Sequence, residues 1–169
     1  MKVGQQALIP PAGGAEPRTQ YGALCWRVRG KGLEVLLVTS RETGRWVIPK
    51  GWPIRSLTPE ESAAREAWEE AGVKGSATPD CLGIYTYEKG VGRLAGPRVY
   101  HPCVVAVYPL AVRQLAKTWP EAKQRKRKWF TPKKAARKVD EPELQALLAA
   151  LPGLLSPDAA ESPAPAPGA

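Results

Sequence analysis

The spacing of hydrophobic positions in the first third of the chain predicts short strands. Two runs rich in aliphatic and β-branched residues, 21–28 and 33–40, flank the segment 29–32, Arg-Gly-Lys-Gly, and so predict a hairpin. Residues 46–48 predict a third strand. The segment 49–53 that follows contains two prolines and a glycine, which predict a loop without regular strand pairing.

The helix predicted for residues 59–71 has clear signals at both ends. Thr58 is a favoured N-cap, Pro59 suits the first helical position, and Glu61 lies where a capping box needs a glutamate. Gly72 supplies the stop. The chain therefore predicts a strand, a loop and a capped helix in direct succession.

The second half of the chain mixes strands and helices in the same way. Strands are predicted for residues 82–88, 99–108 and 128–130, and helices for 131–139 and 141–151. Pro102 predicts an edge or a bulge in the strand that contains it. Strands and helices intermixed in this order predict an α/β (α+β) fold with a mixed sheet between helices.

Composition sets the boundaries of the domain. A length of 169 residues corresponds to one ordinary domain. Residues 1–17 are rich in Gly, Pro and Ala and predict a flexible N-terminal segment, and residues 156–169 predict a disordered Pro/Ala-rich tail. We therefore expect the folded domain to span residues 18–155.

Charge and cysteine usage indicate the class of partner and the compartment. The chain has 25 Lys and Arg against 16 Asp and Glu, a formal charge of +9. Such an excess attracts polyanions, although a merely soluble basic surface has the same composition. The three cysteines lack the paired spacing of a zinc site or a disulfide framework. No apolar run reaches the ~20 residues of a membrane span and no signal-peptide pattern is found, so we expect a cytoplasmic protein without membrane contact.

Three glutamates of the predicted helix carry the candidate chemistry. Glu66, Glu69 and Glu70 are three and four positions apart and therefore share one face. Carboxylates placed so close together repel one another unless solvent screens them or a hard cation binds them. An ordinary charged helix face is the alternative, and the glutamates alone do not exclude it.

The frame around these glutamates resembles the signature of the Nudix hydrolases. Gly51 precedes Arg65 by fourteen positions, and residues 65–73 read Arg-Glu-Ala-Trp-Glu-Glu-Ala-Gly-Val, as in that signature. Leu57 stands where the family usually has a further glutamate, so we expect altered rather than absent activity. Segments 45–51 and 125–130 are similar to the branch that hydrolyses diphosphoinositol polyphosphates and diadenosine polyphosphates. The resemblance implies the Nudix fold and hydrolysis of a diphosphate linkage.

The resemblance also implies a metal site that holds Mg²⁺ or Mn²⁺. The implied ligands are Glu66, Glu69, Glu70 and the backbone carbonyl around Lys50 and Gly51. Hard carboxylate oxygens favour these two ions over metals that prefer softer ligands. Glu66 is expected to be a ligand or the base that orients the attacking water. Arg65 completes the implied catalytic group by holding a neighbouring glutamate.

Substrate phosphates need cations, and the resemblance implies where these lie. The implied substrate-binding residues are Ser40, Arg41, Lys50, Arg125 and Arg127. An arginine presents a planar fork that matches phosphate oxygens. For any one of the five residues, a solvated surface position is an equal alternative. The expected partner is a polyphosphorylated small molecule, and the sequence leaves the oligomeric state open.

Other functions remain open at this point. One is a Nudix hydrolase of different specificity, for a nucleoside diphosphate sugar or a capped RNA. Another is a non-catalytic, RNA-binding module on a Nudix scaffold, which the basic run 123–128 favours. The glutamate set argues against nucleic acid as the partner, because without metal it repels phosphate. An acidic ligand from outside the helix is also open, with Glu88 as a weak candidate.

Overall fold

A computed structural model of the chain describes residues 16–91 and 99–155. The strands are β1 (Arg18–Arg29), β2 (Gly32–Thr39), β3 (Trp46–Val47), β4 (Lys50–Gly51), β5 (Val73–Ala77), β6 (Gly83–Val91), β7 (Val99–Leu115) and β8 (Arg127–Phe130). The helices are α1 (Pro59–Ala71), α2 (Pro132–Lys138) and α3 (Pro142–Leu154). The predicted tail 156–169, and the predicted N-terminal segment 1–17 apart from its last two residues, lie outside the described residues.

The strands form one mixed sheet. Its main order is β3-β2-β1-β7-β5, with β4 paired to β1, β6 to β7 and β8 to β2. The central pair, β1 and β7, is parallel, whereas the other pairs are antiparallel. The predicted hairpin between β1 and β2 is confirmed, with Arg29 paired to Gly32 and Gly30 at a φ of +62° in the turn.

Alternating residues of β1 and β2 divide the core into two layers, one on each face of the sheet. One layer packs under α1 and contains Ala23, Cys25, Leu36 and Val38 together with the helix residues Ala63, Ala67 and Ala71. The other packs under α2 and α3 and contains Leu24, Trp26, Val35 and Leu37 together with Leu144, Leu148 and Leu151. The predicted sandwich of a mixed sheet between helices is thereby confirmed.

Helix α1 begins and ends where its capping residues predict. The Thr58 hydroxyl accepts from the backbone N–H of Glu61 at 3.4 Å, and the Thr58 N–H donates to the Glu61 carboxylate at 2.9 Å. Gly72 adopts a left-handed φ of +65° after the last turn. Both ends of the helix are thus specified by local chemistry.

The prediction that residues 49–53 form a loop without pairing is wrong at its centre. Lys50 and Gly51 form β4 and pair with Gly22 and Tyr21 of β1. Prolines remove a donor but keep their carbonyl, and the carbonyl of Pro49 accepts from the N–H of Ala23 at 2.9 Å. The short pairing holds the segment against the sheet close to α1.

Two other strands differ from the sequence prediction. β5 was not predicted, because its sequence Val-Lys-Gly-Ser-Ala has a low strand propensity. Its hydrogen-bonded pairing with β7 stabilises the strand instead. β7 continues to Leu115 rather than ending near 108, because β5 pairs with it from Leu110 as far as Leu115. At Pro102, β7 has only β6 beside it in the described part of the chain, consistent with the predicted edge.

Helices α2 and α3 lie where the sequence predicts helices, with ends shifted by one to three residues. None of the helices in the described ranges is long and apolar enough to span a membrane.

Candidate active site

A cleft of about 730 Å³ opens between α1, the segment that contains β4 and the connection from β2 to β3. Its acidic lining residues include Glu66, Glu69, Glu70, Glu88 and Glu121. Its basic lining residues are Arg41, Arg45, Lys50, Lys89 and Arg125. The cleft thus brings together most of the residues that the sequence proposes for metal and phosphate binding.

Glu70 is the most buried of these acids, with 7% of its surface exposed. Its carboxylate accepts from the Arg125 guanidinium at 3.1 Å and from the backbone N–H of Lys50 at 3.4 Å. Burial raises the pKa of Glu70 to about 7, although Arg125 and Lys50 act in the opposite direction. Burying the Glu70 carboxylate costs free energy, and the ion pair with Arg125 offsets part of this cost.

Glu66 lies against the backbone of β4. A Cβ atom at Gly51 would overlap the Glu66 carboxylate, so the glycine is required for this close approach. Burial, and then the charges of Glu70 and Glu69, raise the pKa of Glu66 to about 7. Glu66 and Glu70 are therefore neighbouring carboxylates whose negative charges the surrounding basic groups do not fully balance.

Glu69 differs from the other two glutamates of α1. It accepts from Arg65 at 3.3 Å in an exposed pair one helical turn apart, and Arg65 does not line the cleft. Arg65 thus has the glutamate-holding geometry that the resemblance implies. Among the described residues, no group of three or more Asp, Glu, His or Cys side chains is already arranged to hold a metal ion.

The donor set nevertheless fits a hard divalent cation. Glu66 and Glu70 supply desolvated carboxylate oxygens whose mutual repulsion a cation would relieve. The absence of a side chain at Gly51 leaves its backbone open to the Glu66 carboxylate. Glu69 lines the same cleft and is available as a third oxygen ligand. The predicted set of Glu66, Glu69, Glu70 and the backbone of Lys50 and Gly51 stays a prediction for this site.

Glu121 is a cleft residue that the sequence analysis missed. Its side chain is 17% exposed and accepts from Arg125 at 3.1 Å, and the ion pair with Arg41 measures 3.4 Å. Glu88, the weak candidate from the sequence, also lines the cleft. The connection between β7 and β8 brings Glu121 beside α1, and only its spacing of four from Arg125 signals this in the sequence.

The predicted phosphate-binding residues separate into two groups. Ser40, Arg41, Lys50 and Arg125 line the cleft, whereas Arg127 does not. The Arg127 guanidinium donates to the carbonyls of Ala71 and Ala116, both at 2.7 Å. The expectation that Arg127 binds substrate is therefore corrected, because its donors are directed to the end of α1 and not into the cleft.

Arg45 is a second missed cleft residue. It pairs with the buried Glu141 at 2.7 Å and with Asp140 at 3.7 Å, which ties the β2–β3 connection to the start of α3. Its Nη1 is buried and has no hydrogen-bond partner among the described residues. The pair with Glu141 therefore leaves one guanidinium nitrogen unsatisfied.

Arg41 and Arg125 should affect catalysis in different ways. The Arg41 side chain is 57% exposed at the cleft edge, whereas Arg125 is buried between Glu70 and Glu121. We expect Arg41→Ala to raise KM about fivefold with little change in kcat, the effect of losing about 1 kcal/mol of exposed charge contact. Arg125→Ala should lower kcat more than tenfold, because it leaves Glu70 without its buried partner. Steady-state kinetics on both variants checks this split.

The control for that experiment is Arg55→Ala, since Arg55 is exposed and does not line the cleft. Its kinetics should match the wild type. Equal effects of Arg41→Ala and Arg125→Ala on KM would contradict the separation.

Two further residues of the connection between β4 and α1 are Leu57 and Trp52. Leu57 is 40% exposed and does not line the cleft, so its side chain does not block the site. That it alters rather than abolishes activity stays a prediction. Trp52 borders the cleft mouth, with the Lys89 ammonium 5.0 Å and the Arg18 guanidinium carbon 6.0 Å from its ring centroid.

Comparisons with known proteins identify the family of the chain. The family model of the NUDIX domain matches residues 18–151. The chain is 36% identical to Nudix hydrolase 16, mitochondrial, of Arabidopsis thaliana over 67% of this chain and 62% of that protein. It is 31% identical to human diphosphoinositol polyphosphate phosphohydrolase 3-alpha over 67% of this chain and 63% of that protein. The chain thus spans less than two thirds of the length of these relatives.

The fold is also shared with a solved structure. The C. elegans Ap4A hydrolase superimposes with a TM-score of 0.57 at 20% identity, over 83% of this chain and 99% of that one. Nudix hydrolases generally use divalent metal ions, which suits the acidic cleft beside α1. With the family match extending over most of the described residues, the chain belongs to the Nudix family.

Proposed function

We propose that the protein is a cytoplasmic, divalent-metal-dependent pyrophosphohydrolase that cuts a diphosphate linkage in a highly phosphorylated small molecule. The observation that carries this proposal is the cleft itself. It places two carboxylates that burial desolvates, Glu66 and Glu70, in one cleft with the cations Arg41 and Lys50. Such a reaction needs carboxylates that bind a metal cation and basic side chains that bind the substrate phosphates.

The chemical difficulty is that the diphosphate oxygens are already anionic and repel a nucleophile. Mg²⁺ or Mn²⁺ held by Glu66, Glu69 and Glu70 would neutralise this charge and acidify a bound water. The remaining tasks belong to side chains. Glu66, which lies against the backbone of Gly51, is either a ligand of the cation or the base that accepts a proton from the attacking water. Arg41, at the exposed edge of the cleft, and Lys50, inside it, orient the phosphates.

The charge of the cleft and the relatives support the proposed substrate class. Several cations at one cleft favour substrates that carry many phosphates, since each gripped phosphate adds a charge-assisted contact. One human relative is a diphosphoinositol polyphosphate phosphohydrolase, and one structural neighbour is the C. elegans Ap4A hydrolase. The indole of Trp52, 38% exposed at the cleft mouth, favours a base-bearing substrate such as a diadenosine polyphosphate, because a nucleobase can stack on it.

The test is a hydrolysis screen on the full chain with Mg²⁺ or Mn²⁺. The substrates are a diphosphoinositol polyphosphate, diadenosine penta- and hexaphosphate, a nucleoside diphosphate sugar, ADP-ribose and a capped RNA. We expect kcat/KM to be highest for one of the first two classes. A chelator should abolish the activity, because the carboxylates of the cleft cannot neutralise phosphate without a cation.

The outcomes separate the competing functions. A preference for ADP-ribose, a nucleotide sugar or capped RNA would replace the substrate class and keep the reaction. The enzymatic proposal would be overturned in favour of a binding module by one combined result. The wild type would be inactive on every substrate, and it would bind RNA with an affinity that the substitution Glu70→Gln leaves unchanged.

A further inference from the structure

The C-terminal turn of α1 is held by one segment from elsewhere in the chain. A helix ordinarily leaves its last carbonyls without partners inside the helix. Here the carbonyls of four successive residues, 69–72, each accept a hydrogen bond from residues 116–127, which we name the clamp segment. The four bonds are Glu121 N–H to Glu69 at 3.0 Å, Trp119 Nε1–H to Glu70 at 3.0 Å, Arg127 Nη1–H to Ala71 at 2.7 Å and Ala116 N–H to Gly72 at 2.8 Å.

The same segment also holds the functional side chains. Arg125 binds the Glu70 carboxylate at 3.1 Å and the Glu121 carboxylate at 3.1 Å. Glu70 is therefore fixed at two points, its carbonyl by Trp119 and its carboxylate by Arg125. Any shift of the clamp segment along α1 would therefore move the backbone and the carboxylate of Glu70 together.

Arg127 and Trp119 form the centre of the clamp segment. The Arg127 guanidinium lies 3.8 Å from the centroid of the Trp119 ring and bridges the carbonyls of Ala71 and Ala116. None of the ion pairs within the described ranges involves Arg127, so its charge faces two carbonyls and the Trp119 ring. A cation is favourable there because the helix C-terminus is electronegative, and α1 has no basic residue in its own last turn.

Gly72 shows how closely the parts fit. A Cβ at this position would come within 2.8 Å of Arg127 Nη1 and 2.9 Å of the Trp119 ring. The ring and the guanidinium thus occupy the space directly beside the end of the helix. Glu69 and Glu70 belong to that last turn, and Glu66 lies one turn earlier.

We propose that Trp119 and Arg127 are positioning residues, which fix the orientation of α1 about its axis and thereby the carboxylates of Glu66 and Glu70 relative to Glu121. This inference rests on the proposed function, since its readout is metal binding at those carboxylates. Trp119 and Arg127 touch neither substrate nor metal in this scheme. They act through the carbonyls of Glu70 and Ala71.

The chain contains a matched control for the indole bond. Trp129 is half-buried like Trp119, and the Arg27 guanidinium lies 3.9 Å from its ring centroid, so it has the same kind of stacked partner. None of the hydrogen bonds in the described ranges joins its indole to α1. Trp119→Phe and Trp129→Phe therefore remove the same atoms, but only the first removes a bond to the helix that carries the glutamates.

The experiment measures Mn²⁺ binding to the full-length protein by calorimetry without substrate, together with kcat and KM. We expect Trp119→Phe and Arg127→Lys each to raise the Kd for Mn²⁺ and lower kcat by about tenfold, the usual cost of losing a group that orients a ligand. KM should not change. Trp129→Phe should bind Mn²⁺ as the wild type does, even where its thermal unfolding shifts as much as that of Trp119→Phe.

Two results would overturn this proposal while the proposed function stands. One is wild-type Mn²⁺ affinity in Trp119→Phe, and the other is an equal loss of affinity in Trp129→Phe. Absence of Mn²⁺ binding and of hydrolysis in the wild type would overturn the proposed function, and the positioning role with it.

Discussion

Glu70→Gln should lower kcat at least ~100-fold and leave the protein folded, since removing one group that stabilises transition-state charge commonly costs this much. The substitution keeps the shape of the side chain and removes only its charge. Glu70 is the natural choice because its carboxylate is buried and receives both Arg125 and the Lys50 N–H. Single-turnover and steady-state rates, with circular dichroism for the fold, check the result.

The control is Glu60→Gln, the same chemical change in the first turn of the same helix. Glu60 lies outside the cleft lining, so its variant should retain wild-type kcat. Full activity in a folded Glu70→Gln protein would remove Glu70 from the metal site.

Gly51→Ala is expected to lower kcat by about 100-fold through a single methyl group. The new Cβ would overlap the Glu66 carboxylate, which can yield by rotating away, so the fold should survive while the carboxylate leaves its position. Displacement of a catalytic group by about 1 Å is enough for a loss of this size. Kinetics across a range of Mg²⁺ concentrations measures the effect.

A double-mutant cycle identifies the route of this loss. If Gly51→Ala acts by moving Glu66, it should cost little more once Glu66→Gln is present, because two changes that affect one group are not additive. Gly32→Ala is the matched control, since a Cβ there meets only the Arg29 carbonyl at an ordinary 3.6 Å. Additive losses in the double variant would show that Gly51 acts by some other route.

Local chemistry predicted the elements whose signals lie within a few residues. Helix α1 is an example, because Thr58, Glu61 and Gly72 form its caps without help from the rest of the chain. The β1–β2 hairpin is another, since its turn needs only the glycines beside it. The glutamates of α1 followed from helical spacing in the same way.

Features that depend on distant pairing could not be predicted in this way. β4 and β5 become strands because β1 and β7 lie beside them, and neither segment has the composition of a strand. Glu121 reaches the cleft through the path of the β7–β8 connection. Arg127 belongs to the same basic run as Arg125 but faces the end of α1, a difference that adjacent positions in a sequence do not reveal.

The helices on the two faces of the sheet contact it through side chains of different size. Helix α1 meets the sheet through Ala63, Ala67 and Ala71, whose methyl groups have no rotamers to exchange. Its distance from the strands is therefore set by backbone contact, and larger residues there would push it outward at a cost of roughly 1 to 3 kcal/mol each. The leucines of α3 can adopt other rotamers and accept substitutions of similar volume. The carboxylates of Glu66, Glu69 and Glu70 thus project from the helix whose distance from the sheet is fixed by its smallest side chains.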